Sequence, residues 1–134
     1  MKNFLKLMVM LSVVSACSAT KTPDHNWNDT KWVLEELKGV PVQTSGTNSD
    51  AHIVFSATES RFSGSGGCNR IMGGYTISKK GAISFTNPAA SLMACPNLNF
   101  EQSFLSTLAT VDHYTLEEQV LVLKKGKEVV MKLK

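Results

Sequence analysis

From residue 30 onward, apolar and polar positions alternate over short stretches. Trp32 and Leu34 lie two residues apart, as do Ile53 and Phe55, and a period of two places such side chains on one face of a strand. Glycine-containing or doubly charged pairs interrupt the alternation, which is typical of turns between strands. The pattern therefore predicts about eight strands, over residues 30–37, 51–55, 59–63, 68–77, 82–85, 114–116, 120–123 and 129–133, of which the last two form a closing hairpin.

One stretch departs from this rhythm and predicts a helix. Phe104, Leu108 and Val111 recur at spacings of four and three, so residues 99–111 are expected to form about three helical turns. Asn99 is expected to cap the first free amides, with Gln102 completing a capping box. A single helix of this length can cover one face of a curled sheet or plug one end of it, and its apolar stripe is assigned to the core.

The first 29 residues are interpreted as an export signal followed by a tether. Residues 1–16 combine two lysines, Lys2 and Lys6, with an apolar run over 7–14 that is too short to span a bilayer. Val14-Ser15-Ala16-Cys17 resembles a bacterial lipobox, in which the Cys17 thiol would take a diacylglyceryl group. An ordinary signal peptide with an incidental cysteine is the alternative. Residues 17–29, which are mostly polar, are expected to be a flexible tether before the domain at 30–134.

Lipidation at Cys17 would decide where the protein resides. Two or more acyl chains are enough for stable membrane anchoring. Ser18 follows the cysteine, at a position where an aspartate would favour retention in the inner membrane. The expected location is therefore the outer membrane, with the domain facing the periplasm and the membrane contacted through the anchor.

Composition and charge exclude several classes of protein. The chain has 134 residues, of which 43% are hydrophobic and 19% charged, which fits one globular domain and not a disordered chain. Fourteen basic residues against 11 acidic ones leave a formal charge of +3, too weak to predict a nucleic-acid partner. Lysines concentrated near the C-terminus are interpreted as a solvated strand edge that resists aggregation.

Cys68 and Cys95 remain once the lipidation site is set aside. In an exported domain an even pair of cysteines usually forms a disulfide, and that is the main expectation. Free structural thiols are one alternative, and a thiol nucleophile served by His52 or His113 is another. A metal site is disfavoured because the chain has no Cys-x-x-Cys or His-x-x-x-His spacing. Neither a metal nor any other cofactor is expected.

The glycine-rich stretch at 64–67 is interpreted as a sharp corner in the sheet. A phosphate-binding loop would need a following helix and a Gly-Lys-Ser/Thr sequence, whereas the residues after Gly67 are predicted to form a strand. Glycines at such a corner permit positive φ angles and close backbone approach.

Four short motifs follow one another along the chain: Trp32-x-Leu34, Ile53-x-Phe55, Gly64-x-x-Gly67-Cys68-Asn69-Arg70 and Met93-Ala94-Cys95-Pro96. This ordered set resembles the META domain family, which includes HslJ-type heat-inducible bacterial lipoproteins. The resemblance covers about residues 30–133; two mild departures are Ile71, where an aromatic is common, and Ser91, where threonine is common. It implies a mostly β (α+β) fold, a small, partly open antiparallel β-barrel with one α-helix. The most specific motif residues are Gly64, Gly67, Cys68, Asn69, Gly73, Tyr75, Met93 and Cys95.

The resemblance also carries expectations about function. It implies a non-enzymatic envelope lipoprotein that supports tolerance of stress or of antibiotics such as novobiocin, and it brings no catalytic residues. We expect such a protein to bind an apolar ligand or a segment of an envelope protein in a cleft between helix and sheet, lined by Phe62, Met72, Phe104 and Leu108. A thiol- or His-dependent periplasmic enzyme is one alternative. A structural interaction module similar to a pilotin is another, on fold-level analogy.

Overall fold

The computed structural model of the chain describes residues 29–78 and 80–134. The predicted signal peptide, Cys17 and nearly all of the predicted tether lie outside the described residues. Within the described part, the elements follow in the order β1 (Lys31–Leu37), β2 (Val40–Pro41), β3 (His52–Ser56), β4 (Arg61–Ser65), β5 (Arg70–Ile77), β6 (Ile83–Ala90), α1 (Leu98–Leu108), β7 (His113–Glu117), β8 (Val120–Lys125) and β9 (Glu128–Leu133).

The strands form one antiparallel sheet that curls into a partly open barrel. Their order is β6-β5-β4-β3-β1-β9-β8-β7, with the short β2 paired to β1 off this path. The two ends of the sheet approach each other where Ala82 bridges His113, and the Ile83 amide donates to the Asp112 carbonyl at 3.1 Å. The predicted fold class, mostly β with one helix and a partly open barrel, is confirmed, as is the closing hairpin β8–β9.

The inward face of the sheet follows the alternation expected from the sequence. On β3 the buried residues are Ile53 and Phe55, and on β4 Phe62 is buried beside them. The Phe55 ring meets Tyr75 edge-on, with ring centroids 4.9 Å apart, and the Phe62 ring meets Phe85 at 5.4 Å. Edge-to-face pairs of this kind stabilise beyond the area that they bury, so this aromatic cluster anchors one half of the barrel.

The helix packs its apolar stripe into the barrel, as predicted for Phe104 and Leu108, which are fully buried. The predicted capping box is wrong. The helix begins one residue earlier, at Leu98, and its cap residue is Asn97, whose side chain makes no capping hydrogen bond with the described residues. Asn97 acts instead through its carbonyl oxygen, which accepts from the Phe100 amide at 3.1 Å. The spacing of apolar residues correctly predicted the buried face of the helix. The structure of its first turn depends instead on the tertiary contacts that are described below.

Several strand boundaries differ from those predicted from the sequence. The two-residue strand β2 was not predicted, and residues 66–69 form a turn before β5 and not part of that strand. Strand β6 extends to Ala90 across Pro88, beyond the predicted end at residue 85, because a register shift between Met72 and Gly74 accommodates the proline. A bulge is the usual way for a strand to contain proline.

Candidate functional site

A buried polar cluster joins the glycine-rich turn to the helix. Glu101, in the first turn of α1, is 4% exposed, and Asn69, at the end of the turn, is 1% exposed. The Asn69 backbone amide donates to one oxygen of the Glu101 carboxyl group at 2.8 Å, and the Asn69 side-chain amide donates to the other at 2.8 Å. Both oxygens are thus satisfied within the core, as burial of a carboxyl group requires. We call this pair the Asn69–Glu101 junction.

Asn69 also holds the segment that leads into the helix. Its side-chain oxygen accepts from the Met93 amide at 2.8 Å and from the Ser91 hydroxyl at 3.4 Å. Its backbone carbonyl accepts from the Gly66 amide at 2.9 Å, which closes the turn. A single asparagine therefore ties together the turn, the segment at 91–95 and the helix. This role explains why asparagine stands at this position of the motif, since no other side chain of its size offers both donor and acceptor at these places.

Glycine is required at the junction for steric reasons. A Cβ at Gly66 would lie 2.5 Å from Cγ of Glu101, and Gly67 adopts a φ of +104°, which side chains rarely tolerate. A Cβ at Gly64 would clash with the backbone carbonyl of His52 on the adjacent strand, and one at Gly73 would lie 2.6 Å from the Phe62 ring. The motif glycines thus serve close approach of chain segments, in agreement with the interpretation of a sheet corner.

Cys68 and Cys95 form a disulfide with their Cα atoms 6.2 Å apart. The bond lies beside the Asn69–Glu101 junction and connects the glycine-rich turn to the segment that leads into the helix. Cys68 is exposed and Cys95 is half-buried, so the disulfide lies at the surface over a buried polar pair. Both sulfur atoms are consumed by this bond, which leaves neither as the free thiol that a nucleophile requires.

The two histidines considered as bases lie in different places. His52 shares a shallow recess of about 370 Å³ with Cys68 and Arg70, and its Nδ1 lies 2.7 Å from the backbone oxygen of Asp50. His113 is exposed on β7, and its Nδ1 lies 2.6 Å from the Asp112 carboxylate. That contact with His113, with help from the Gly126 amide, lowers the pKa of Asp112 below its ordinary value.

The four residues predicted to line one cleft do not share one. Phe62, Phe104 and Leu108 are core residues with exposures of 2%, 0% and 0%. Met72 lies on the outer face of β5 and is 45% exposed. The strand period separates Met72 from Phe62 onto opposite faces of the sheet, and the helix stripe fills the space that a ligand would occupy. The expected position of the cleft is therefore corrected.

An open groove lies instead between the β1–β2 turn and the start of the helix. Its volume is about 500 Å³, within the range of small-molecule sites. The apolar part of its lining is Leu37, Val40, Pro41, Val42, Ala51 and Phe100, and the polar part is Lys38, Gln43, Asn97 and Ser103. We call this feature the β2 groove. The apolar run Val40-Pro41-Val42 after a glycine was the signal that could have indicated it, since that run belongs to no predicted strand.

Of the motif residues, Met93 is 56% exposed and Tyr75 is part of the core.

Among residues 29–78 and 80–134, no group of three or more His, Cys, Asp or Glu side chains is placed to hold a metal ion. In that same part of the chain, no helix combines the length and the apolar character needed to cross a membrane.

Comparison with known proteins gives a family and a fold. The model of the META domain family matches residues 25–134. A protein from Burkholderia xenovorans with an NMR structure is 23% identical, with a TM-score of 0.64 over 81% of this chain and 82% of its own. A DUF4847 family protein from Bacteroides vulgatus with a crystal structure is 17% identical, with a TM-score of 0.57 over 81% of this chain and 93% of its own. No curated protein matches significantly.

Proposed function

The chain belongs to the META domain family, and from its β2 groove we propose that it is a non-enzymatic envelope lipoprotein that binds a small apolar ligand. In this proposal Cys17 anchors the protein in the outer membrane and the domain faces the periplasm. Ligand binding would support tolerance of envelope stress or of antibiotics such as novobiocin. The β2 groove is the observation that carries the proposal.

The lining of the β2 groove favours an apolar ligand. Val40 is 64% exposed beside the groove, and an exposed apolar side chain next to a concave apolar wall gains free energy when a ligand covers it. Phe100 contributes an aromatic wall from the helix, and Asn97 and Ser103 supply a few polar groups that can orient a ligand. Such a mixture is typical of small-molecule sites.

The arrangement of reactive groups supports a binding protein over an enzyme. A thiol-dependent enzyme needs a free thiolate, and the sulfur atoms of Cys68 and Cys95 are bonded to each other. A His-dependent hydrolase needs a nucleophile beside its histidine. His113 lies beside Asp112, and no cysteine or serine lines its recess. Serines do line the recess of His52, but within the described residues the His52 ring is hydrogen-bonded to the backbone oxygen of Asp50.

A charge placed in the β2 groove tests the ligand proposal. Val40→Asp is expected to weaken binding of the apolar dye N-phenylnaphthylamine roughly tenfold or more, because it removes an apolar side chain that the bound dye would cover and adds a carboxylate. Ile77→Asp is the matched control, since Ile77 is 43% exposed and does not line the β2 groove. Dye fluorescence is titrated with the full chain carrying Cys17→Ser. Equal affinity of the Val40→Asp and unsubstituted proteins would contradict the proposal.

Removal of the Cys17 thiol tests the anchor. In Cys17→Ser the diacylglyceryl group has no thiol to attach to, so the protein is expected to leave the membrane fraction while its domain stays folded. Cell fractionation and incorporation of labelled palmitate measure the two effects. Cys68→Ser is the control for loss of any cysteine, and it should retain the label. Palmitate incorporation that persists in Cys17→Ser would refute the assignment.

An interaction module similar to a pilotin is the second candidate. Leu92 is fully exposed and Met93 is 56% exposed, on the segment between β6 and α1. Exposed apolar side chains on one segment favour contact with another protein. In-cell crosslinking from position 92, compared with position 77, distinguishes the candidates: a specific protein adduct at 92 together with an absence of dye binding favours the interaction module.

A further inference from the structure

Three lysines line a small recess where the two ends of the sheet meet. Lys80 comes from the β5–β6 turn, Lys124 from β8 and Lys127 from the β8–β9 turn. Together with His113 they line a recess of about 330 Å³. We call this feature the lysine recess. Two hairpins, β5–β6 and β8–β9, thus bring lysines to one recess.

Hydrogen bonds hold the backbone beneath the lysine recess in place. The Tyr114 amide donates to the Gly81 carbonyl at 2.9 Å, and the Asp112 amide donates to the Lys124 carbonyl at 3.0 Å. The Gly126 amide donates to the Asp112 carboxylate at 2.8 Å. These bonds hold both hairpin turns against the start of β7, so the lysines project from a common scaffold and not from independent loops.

The lysines of the recess have no acidic partner in the described part of the chain. The nearby Asp112 carboxylate is engaged by His113 and by the Gly126 amide, and no acidic side chain lines the recess itself. Lys132 makes a useful contrast, since its ammonium group lies 3.0 Å from the Glu36 carboxylate across the β1–β9 pair. Like charges around one recess repel each other unless an anion neutralises them.

Protection of a strand edge does not account for this cluster. The unpaired edges of the sheet belong to β6 and β7, whereas Lys124 lies on β8, which is paired on both sides. Lys80 and Lys127 lie in turns. The earlier interpretation of the C-terminal lysines as an edge guard therefore does not explain why these three converge.

We propose that the lysine recess binds a phosphate-bearing anion, presented by a lipid headgroup or by a soluble phosphate compound. A phosphate group offers several acceptor oxygens to several cationic donors at once, and lysine binds phosphate as a compact point charge. The lysine recess is separate from the β2 groove and shares no lining residue with it. The proposal of an anion site therefore does not depend on whether an apolar ligand binds in the β2 groove.

Titration with inorganic pyrophosphate tests the site directly. The full chain carrying Cys17→Ser and uniformly labelled with ¹⁵N is expected to show saturable shifts of the Gly81, Tyr114 and Gly126 amides. Combined Gln substitution of Lys80, Lys124 and Lys127 should raise the Kd for pyrophosphate roughly tenfold. The expected increase is of this size because each exposed ion pair contributes only modestly to the free energy of binding. Binding should also weaken as salt is added, since the recess is open to solvent.

A matched variant controls for net charge. Combined Gln substitution of Lys31, Arg61 and Lys134, which line neither the recess nor the β2 groove, removes the same charge elsewhere. The Kd of this variant should stay within about twofold, since distant exposed charges are screened. Co-sedimentation with vesicles of phosphatidylglycerol and phosphatidylcholine, compared with phosphatidylcholine alone, identifies the source. Vesicle binding that needs the three recess lysines assigns a lipid headgroup, and pyrophosphate binding without vesicle binding assigns a soluble phosphate compound. The proposal is overturned if neither probe binds saturably, or if the control variant loses binding equally.

Discussion

Asn69→Ala is expected to lower the free energy of unfolding by about 2–4 kcal/mol, because it leaves buried polar groups without partners. The substitution removes the side-chain amide that donates to Glu101 and the oxygen that accepts from the Met93 amide. Glu101 is 4% exposed, so water cannot replace the lost donor without opening the core. Against a typical domain stability of about 5–15 kcal/mol, this is a large fraction.

Urea unfolding of the full chain carrying Cys17→Ser measures this effect. Asn97→Ala is the matched control, since Asn97 is exposed and its side chain gives the helix no capping bond within the described residues; its change should stay within about 0.5 kcal/mol. In a double-mutant cycle with Glu101→Ala, the coupling energy of the pair should exceed about 1 kcal/mol. A coupling near zero would mean that the Asn69–Glu101 junction does not act as a unit.

Loss of the disulfide is expected to produce the second large effect. Cys68 and Cys95 are separated by 27 positions, and closing a loop of that size stabilises the folded state by about 3.5 kcal/mol in the chain-entropy model. Cys68→Ser, Cys95→Ser and the double variant should therefore lower the melting temperature to similar extents, without additive loss. Reduction of the unsubstituted protein should lower it to the same degree.

Alkylation of the denatured, unreduced protein provides the chemical control. Mass spectrometry should find no label on Cys68 or Cys95 before reduction and two labels afterwards. Two labelled thiols before reduction would contradict the disulfide assignment and make a catalytic thiol a possible role for these cysteines again. Additive destabilisation by the two serine substitutions would show that each cysteine contributes separately and not through their bond.

The disulfide and the Asn69–Glu101 junction both hold the glycine-rich turn, the first to the segment before the helix and the second to the helix itself, and they do so by different physical effects. The disulfide restricts the unfolded chain, whereas the buried pair makes alternative packings costly because its polar atoms need each other. Phe100, which neighbours Glu101 on the helix, lies against Gly67 and also forms a wall of the β2 groove. Ligand binding in the β2 groove is therefore expected to depend on both the disulfide and the Asn69–Glu101 junction.

Much of the framework is legible in the amino-acid sequence alone. A period of two places Ile53 and Phe55 inward, and a spacing of four places Phe104 and Leu108 on the buried side of the helix. These predictions succeed because the periodicity of apolar residues records which side of an element faces the core. The pairing of Cys68 with Cys95 was also predictable, since only two cysteines remain in the domain.

The tertiary structure alone decided which distant residues meet. Glu101 and Asn69 are 32 positions apart, and no local pattern says that a helix-terminal carboxyl group will be buried on an asparagine of a turn. The same holds for the β2 groove and for the lysine recess, whose lining residues come from separate segments. Periodicity specifies the orientation of each side chain relative to the core, whereas the partner of a side chain depends on strand order and on the curl of the sheet.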